Sequence, residues 1–325
     1  QILSGTPLND DVGTHEVVLT VNDGTETVNQ QFTITVSNTN DAPVFTSVPI
    51  EDATEDTGYS YTMVAEDVDD GDELTYTAQT LPGWLTFDGT ADLSGTPTND
   101  NVGDHLVVLT VSDGFVSVNQ EFTITVSNTN DAPVFTSTPT TSAVEDAGYS
   151  YTAAASDIDV GDNLTYAAPT LPGWLTFDVA TQILSGTPLN DDVGTHEVVL
   201  TVNDGTETVN QQFTITVSNT NDAPVFTSVP IEDATEDTGY SYTMVAEDVD
   251  DGDELTYTAQ ALPGWLTFDG AATISGTPTN DNVGDHLVVL MVTDNSGAAA
   301  EQSFTISVSN TNDAPVFTST PTTSA

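Results

Sequence analysis

The chain has 325 residues, of which 51 are Asp or Glu, four are His and none is Lys, Arg or Cys, giving a formal charge of −51. Internal ion pairs to Lys or Arg are therefore impossible, and the balance argues against nucleic acid or an anionic membrane surface as partner, because both are bound through Lys and Arg. The missing cysteines say little about redox compartment, since a unit of about 90 residues can bury its own core without a disulfide.

The chain opens on QILSGTPLNDDVGTHEVVLTVNDG, and the same 24 residues return at Gln182. A second motif, SNTNDAPVF, stands at residues 37–45, 127–135, 218–226 and 309–317, so successive copies are 90, 91 and 91 residues apart. These repeats divide the chain into a C-terminal half-domain (1–41), three whole domains (42–131, 132–222 and 223–313) and a stub (314–325). The expectation is a window cut from a longer array. No apolar run approaches the ~18 residues of a membrane helix, and no signal peptide is expected.

Within the unit 42–131 the patterning is that of strands. GYSYTMVA alternates, HLVVLTVSDG is β-branched and ends on an Asp-Gly turn, and QEFTITVS puts Phe122, Ile124 and Val126 on one face with Thr123 and Thr125 on the other. No amphipathic helix is expected. The expected fold class is all-β, with tandem antiparallel sandwiches of about seven strands arranged end to end. At ~3.3 Å per strand residue, a domain plus linker would span about 40 Å and the whole chain about 150 Å.

Turns of such a sandwich alternate between its two poles, and this sorts the acids. Asp67, Asp69, Asp72 and Asp113 fall at the entry pole, whereas Glu55 and the Asn99-Asp100-Asn101 turn fall at the far pole. The junction at Asp131 is then predicted to gather Glu55 and Asp100 from the domain before, Asn128, Asn130 and Asp131 from the linker, and Asp157, Asp159 and Asp204 from the domain after. Calcium takes six to eight such hard oxygens in flexible geometry, while magnesium demands a stricter octahedron and transition metals want nitrogen or sulfur. Residues 42–131 alone carry 17 carboxylates. Most of that acid must be solvated surface.

The pattern AxDxDxGD, a last strand after an Asp-Gly turn and a linker ending in APVF resembles the calcium-binding cadherin repeat. LPGWLTFD followed by LSGTPTNDNVG is similar to the dystroglycan-type cadherin-like and putative Ig modules of large bacterial surface proteins. The resemblance implies Ig-like or cadherin-like sandwiches with calcium ligands at Glu55, Asp67, Asp69, Asp113, Asn130 and Asp131, and at their equivalents Asn40 and Asp41; Glu145, Asn221 and Asp222; and Glu236, Asp248, Asp250 and Asp294. The sorting by poles adds Asn38, Asp191 and Asn219, the equivalents of Asn128 and Asp100. Two departures leave the number of ions open: TNDN or LNDD stands where cadherins have LDRE, and the linker reads TNDAP rather than NDNAP.

Other features have plainer readings. Trp84, Trp174 and Trp265 follow a Pro-Gly turn, and alternation sets Trp84 opposite Leu85 and Phe87. Core or edge packing is the common fate of such a Trp, with sugar stacking as the alternative. His15, His105, His196 and His286 begin the long strand at equivalent places, without a second His or Cys nearby. GxSxG, phosphate loops and RTX nonapeptides are missing, and the acids fall in turns rather than in an apolar cleft, so no enzyme is expected. The functional expectation is a calcium-stiffened rod segment of an extracellular or cell-surface adhesin or filament. Its partners would be calcium and neighbouring repeats, with lateral or end-to-end self-association. A glycan-binding array and a metal-independent polyanionic spacer are the competing readings.

Overall fold

The computed structural model describes residues 1–321. The last four residues of the expected stub, 322–325, lie outside them. Nearly all regular structure is strand, and among the described residues no helix is long and apolar enough to cross a membrane. Residues 1–133 with the turns 157–164 and 204–207 make one compact unit, and the other described residues make a second.

In the first unit, β1 (Gly13–Asn22) and β2 (Thr27–Val36) form an antiparallel hairpin that pairs Gly13 with Val36 and Asn22 with Thr27. A full repeat follows, with β3 (Val44–Phe45), β4 (Asp52–Thr54), β5 (Tyr59–Thr62), β6 (Ala65–Glu66), β7 (Thr75–Thr80), β8 (Leu85–Phe87), β9 (Asp92–Gly95), β10 (Gly103–Ser112) and β11 (Ser117–Ser127). One sheet has the order β4-β11-β10-β7, a second the order β5-β9-β8, and β3 pairs with β6. The all-β sandwich expectation holds with one refinement. The expected single first strand is split into β3 and β4, and β4 lies parallel to β11, with Asp52 opposite Thr125. The split falls at Pro49, which has no N–H to continue a ladder.

The alternating pattern of β11 is realised: Phe122, Ile124 and Val126 are buried and the Thr residues between them are exposed. Its neighbour β10 contributes Val107, Leu109 and Val111, all fully buried, and β9 of the other sheet contributes Leu93. Burial of each such side chain stabilises the sandwich by about 1.5–3 kcal/mol. Tyr61 ties the β3–β4 connection to this core. Its hydroxyl lies 2.7 Å from Ser47 Oγ and donates to Gln120 Oε1 at 2.8 Å, while Gln120 Nε2 donates to the Ser47 carbonyl at 3.1 Å. Tyr59 donates to the Ile50 carbonyl at 2.8 Å, and burial, with Tyr61 nearby, pushes its hydroxyl pKa up to about 12.

Trp84 does not obey the predicted alternation. It stands in the Pro82–Leu85 turn, before β8 begins, so a period of two does not yet apply to it. Trp84, Leu85 and Phe87 all pack on the same core. The indole is held edge-on between Tyr59, at a centroid distance of 5.8 Å, and His105, at 5.9 Å. Its carbonyl explains a glycine: a Cβ built on Gly95 would lie 2.1 Å from Trp84 O.

In the second unit the same ladders recur. Gly194–Asn203 pairs with Thr208–Ser218, and Gly284–Thr293 pairs with Ala299–Ser309, around cores centred on Leu200 and Ile215 and on Leu290 and Ile306. One element escaped the sequence reading. The NDD and NDN turns close as single 3-10 turns at Asn9–Asp11, Asn99–Asn101, Asn190–Asp192 and Asn280–Asn282.

Candidate metal centre

The linker after β11 enters the next domain through a buried proline, Pro133, so the polar residues before it are held close to the turns around them. In the first unit, carboxylate oxygens of Glu55, Asp131 and Asp159 lie within 4.8 Å of one another. The local structure explains their meeting. Asp56, in the left-handed region at φ 54°, reverses the chain after β4 and donates its N–H to the Pro97 carbonyl at 2.8 Å. Glu55 is thereby only 1% exposed. One of its oxygens accepts the N–H of Thr129, and the other, Oε2, is buried without a partner.

Asp159 is 6% exposed. It accepts Asn99 Nδ2 on Oδ1 and the Asp131 N–H on Oδ2, both at 2.7 Å. Asp157 accepts the Asp159 N–H at 3.0 Å through Oδ1, and its Oδ2 is buried and unpartnered. Asn130 donates to Asp204 Oδ2 at 3.0 Å. The Glu207 N–H first, and Asn130 second, hold the Asp204 carboxyl below its usual pKa. Asp162, the acid after the turn glycine, joins Asp157 and Asp159 in a second cluster. Desolvation, followed by the charges of Asp157, Asp159 and Asp204, pushes its pKa up.

The turns around Asp41 repeat this plan. Asp41 donates its N–H to Asp69 Oδ2 at 2.7 Å, Asn40 donates to Asp113 Oδ2 at 2.9 Å, and Asp67, Asp72 and Asp113 cluster. The second unit repeats it again. Asp222 donates its N–H to Asp250 Oδ2 at 2.7 Å, Asn221 donates to Asp294 at 2.9 Å, and Glu145 gathers with Asp146 and Asp222. Asp248 accepts the Asp250 N–H at 3.0 Å, and Glu236 clusters with Asp237 and Asp313.

Several of the named residues lie apart from these contacts. Asp100 and Asp191 are exposed on their 3-10 turns, and it is the preceding Asn99 or Asn190 that reaches across. Asn38, Asn128 and Asn219 are likewise exposed, whereas the Asn two places later makes the contact in each linker. Asn99 and the Asp72, Asp162 and Asp253 set belong to the site without having been among the expected ligands. The signal for Asp72 was its place in the DDGD turn, while nothing in the sequence separates Asn99 from Asp100.

The donor set suits a hard cation. Buried oxygens with no hydrogen-bond partner occur on Glu55, Asp67, Asp69, Asp157, Glu236, Asp248, Asp250 and Asp253. Buried carboxylates need a counter-charge, and this chain contains no Lys or Arg to supply one. Nitrogen ligands are not at hand either. His105 Nε2 lies 2.6 Å from the Asn101 carbonyl and its ring packs on Trp84.

The sequence pattern of the Putative Ig domain family matches residues 42–127, 132–218 and 223–309. The chain belongs to that family. The Putative Ig domains of this chain are similar to the serine-rich adhesin for platelets of Staphylococcus aureus. The strain MRSA252 protein is 34% identical over 135 residues, 41% of this chain and 10% of the adhesin, and the strain MSSA476 protein is 34% identical over 6% of its length. This chain thus matches only a tenth or less of those relatives. Among solved structures it is similar to the protocadherin gamma B2 extracellular cadherin domains 1–5. The TM-score is 0.58 at 19% identity, covering 96% of this chain and 69% of that one. Protocadherin gammaB7 EC3-6 gives a TM-score of 0.51 at 16% identity, covering 93% and 86%. These two similarities speak for the fold alone.

Proposed function

We propose that this chain is a structural segment of a secreted or cell-surface adhesive protein, in which tandem sandwiches are stiffened by calcium held at Asn/Asp linkers. The observation that carries this reading is the set of buried carboxylate oxygens without a partner, in a chain that has no Lys or Arg. At the Asp131 linker, Glu55, Asp131, Asp157, Asp159 and Asp204 would hold the ion. Calcium would supply positive charge there and relieve repulsion across a short linker. The staphylococcal relatives are adhesins by name, which supports an adhesive, non-enzymatic and extracellular role. The Trp-based glycan reading is weaker, because the indole is committed to Tyr59, His105 and the core.

Extracellular modules bind calcium at about 10⁻⁴ to 10⁻³ M. At ten times the dissociation constant, which millimolar calcium reaches for the tighter of these values, each site adds about 1.4 kcal/mol, or roughly 6–11 °C in the melting temperature of a domain this small. The test is thermal unfolding in millimolar calcium and in chelator, joined to small-angle scattering. Calcium should raise the melting temperature and lengthen the particle. Identical melting and identical maximum dimension would favour the metal-independent spacer.

A further inference from the structure

The linkers are identical in sequence, yet the turns around them are not. The turn before Asp41 or Asp222 ends in Asp11 or Asp192, where the turn before Asp131 ends in Asn101. In the turn after the linker, Glu66, Asp70 and Glu73, or Glu247, Asp251 and Glu254, are replaced by Ser156, Val160 and Asn163. Four carboxylates are therefore lost at the Asp131 junction, on both sides of the linker, and one is gained, Glu207 in the Asp204 turn where Val116 and Ala298 stand in the other two, a net loss of three.

Local structure does not account for these exchanges. Asp11 Oδ2 accepts the Leu8 N–H at 2.9 Å and Asn101 Oδ1 accepts the Thr98 N–H at 2.9 Å, so both residues close the same turn and differ only in charge. Val160 is fully exposed and packs on nothing. The hydrogen bonding changes as well. Asn99 donates to Asp159 Oδ1 at 2.7 Å, whereas its counterparts Asn9 and Asn190 donate to the carbonyls of Val68 and Val249. Asp69 Oδ1 and Asp250 Oδ1 are consequently buried with no partner, while the equivalent oxygen of Asp159 is satisfied by an amide.

We propose that the junctions are calcium sites of two alternating classes. The one at Asp222 binds tightly and depends on the ion, the one at Asp41 has the same acidic turns but no counterpart of Glu55 in this chain, and the one at Asp131 binds more weakly and is partly held by the Asn99–Asp159 bond in its place. The inference rests on the calcium reading of the linkers and adds a rank order to it. Carboxylates in the turns that flank a linker act on a divalent ion held there within a Debye length of about 8 Å. A net difference of three should separate the two midpoints by about tenfold.

Hydrogen exchange on the whole chain across a calcium titration tests it, because the Phe122–Pro139 segment is unique in sequence and reports the Asp131 linker alone. In chelator the amides of this segment should exchange more slowly than those of the segments holding Asp41 and Asp222. On adding calcium the identical 32–49 and 213–230 peptides, read together, should show a fraction, that of the Asp222 linker, protected at about tenfold lower concentration. Val160→Asp with Asn163→Glu should move the Asp131 midpoint toward the others, while Val179→Asp, an exposed change beside Asp178, should not. Coincident midpoints in the parent chain, or no shift in the double variant, would overturn the two-class proposal and leave the calcium reading standing. Absence of protection at any linker would overturn both.

Discussion

The Asp131 N–H meets the Asp159 carboxylate at 2.7 Å across 28 residues of sequence, and the same bond joins Asp41 to Asp69 and Asp222 to Asp250. A linker amide is thus fixed by a turn acid at the three copies of the motif that a further repeat follows. Asp159→Ala should free the Asp131 amide and the Asn99 side chain together. Exchange should rise at Asn128 to Asp131 while Val199, within its ladder, stays protected. Asp178→Ala is the control, since Asp178 only accepts N–H bonds of its own exposed loop, from Ala180 at 2.8 Å and from Thr181. Unfolding of the whole 132–222 domain by Asp159→Ala would show that the turn is structural rather than a ligand turn.

Acid should act on the ion-free chain in two opposed steps. Asp72, Asp162 and Asp253 have raised pKa values, through desolvation first and neighbouring acids second, so they favour the protonated form in the folded state. Their contribution is lost as pH rises through the raised values, and lowering the pH from neutral toward 3.8, the ordinary Asp value, should stabilise the chain. Asp113, Asp204 and Asp294 are depressed, the first two chiefly by backbone N–H donors and Asp294 chiefly by Asn221. Their contribution is present above 3.8 and disappears as pH falls through the depressed values. Melting temperature in chelator should therefore pass through a maximum on acidification. Calcium should flatten the rising limb, because it does the work of the protons; a monotonic fall from pH 7 in chelator would contradict this.

Gly95→Ala tests the fold independently of any ion. A Cβ would meet backbone oxygen at 2.1 Å, and at 1.9 Å in Gly186 and Gly276, so either the β8–β9 ladder or the Trp turn must shift. Such overpacking costs on the order of 3 kcal/mol. Equal losses should appear in calcium and in chelator by denaturant unfolding.

Much of this architecture was legible in the residues. The period was written in SNTNDAPVF, and the alternation in QEFTITVS gave the buried face correctly at Phe122, Ile124 and Val126. Two kinds of detail were not. The parallel β4–β11 pairing depends on the break at Pro49, which a period-two reading of one first strand does not see. In the same way, Asn99 and Asp100 are neighbours on a tight turn, and only its 3-10 geometry decides which side chain reaches Asp159. Trp84 departs from the alternation for a related reason, because it belongs to a turn and not yet to a strand.

Trp84→Ala separates packing from recognition. The indole touches Tyr59, His105 and the core, so its removal should cost about 3 kcal/mol of stability in the 42–131 domain. A glycan array should be blank for the parent chain and for the variant alike. A sugar signal abolished by the variant would restore the glycan-binding reading.

The most direct measurement is anomalous scattering from crystals grown in calcium. The account predicts an ion at the Asp131 junction with carboxylate oxygens of Glu55, Asp131 and Asp159 at about 2.3–2.6 Å, an equivalent ion at Asp222, and at Asp41 an ion held without a counterpart of Glu55. Well-ordered junctions carrying water or no density there, at calcium well above about 10⁻³ M, would contradict it.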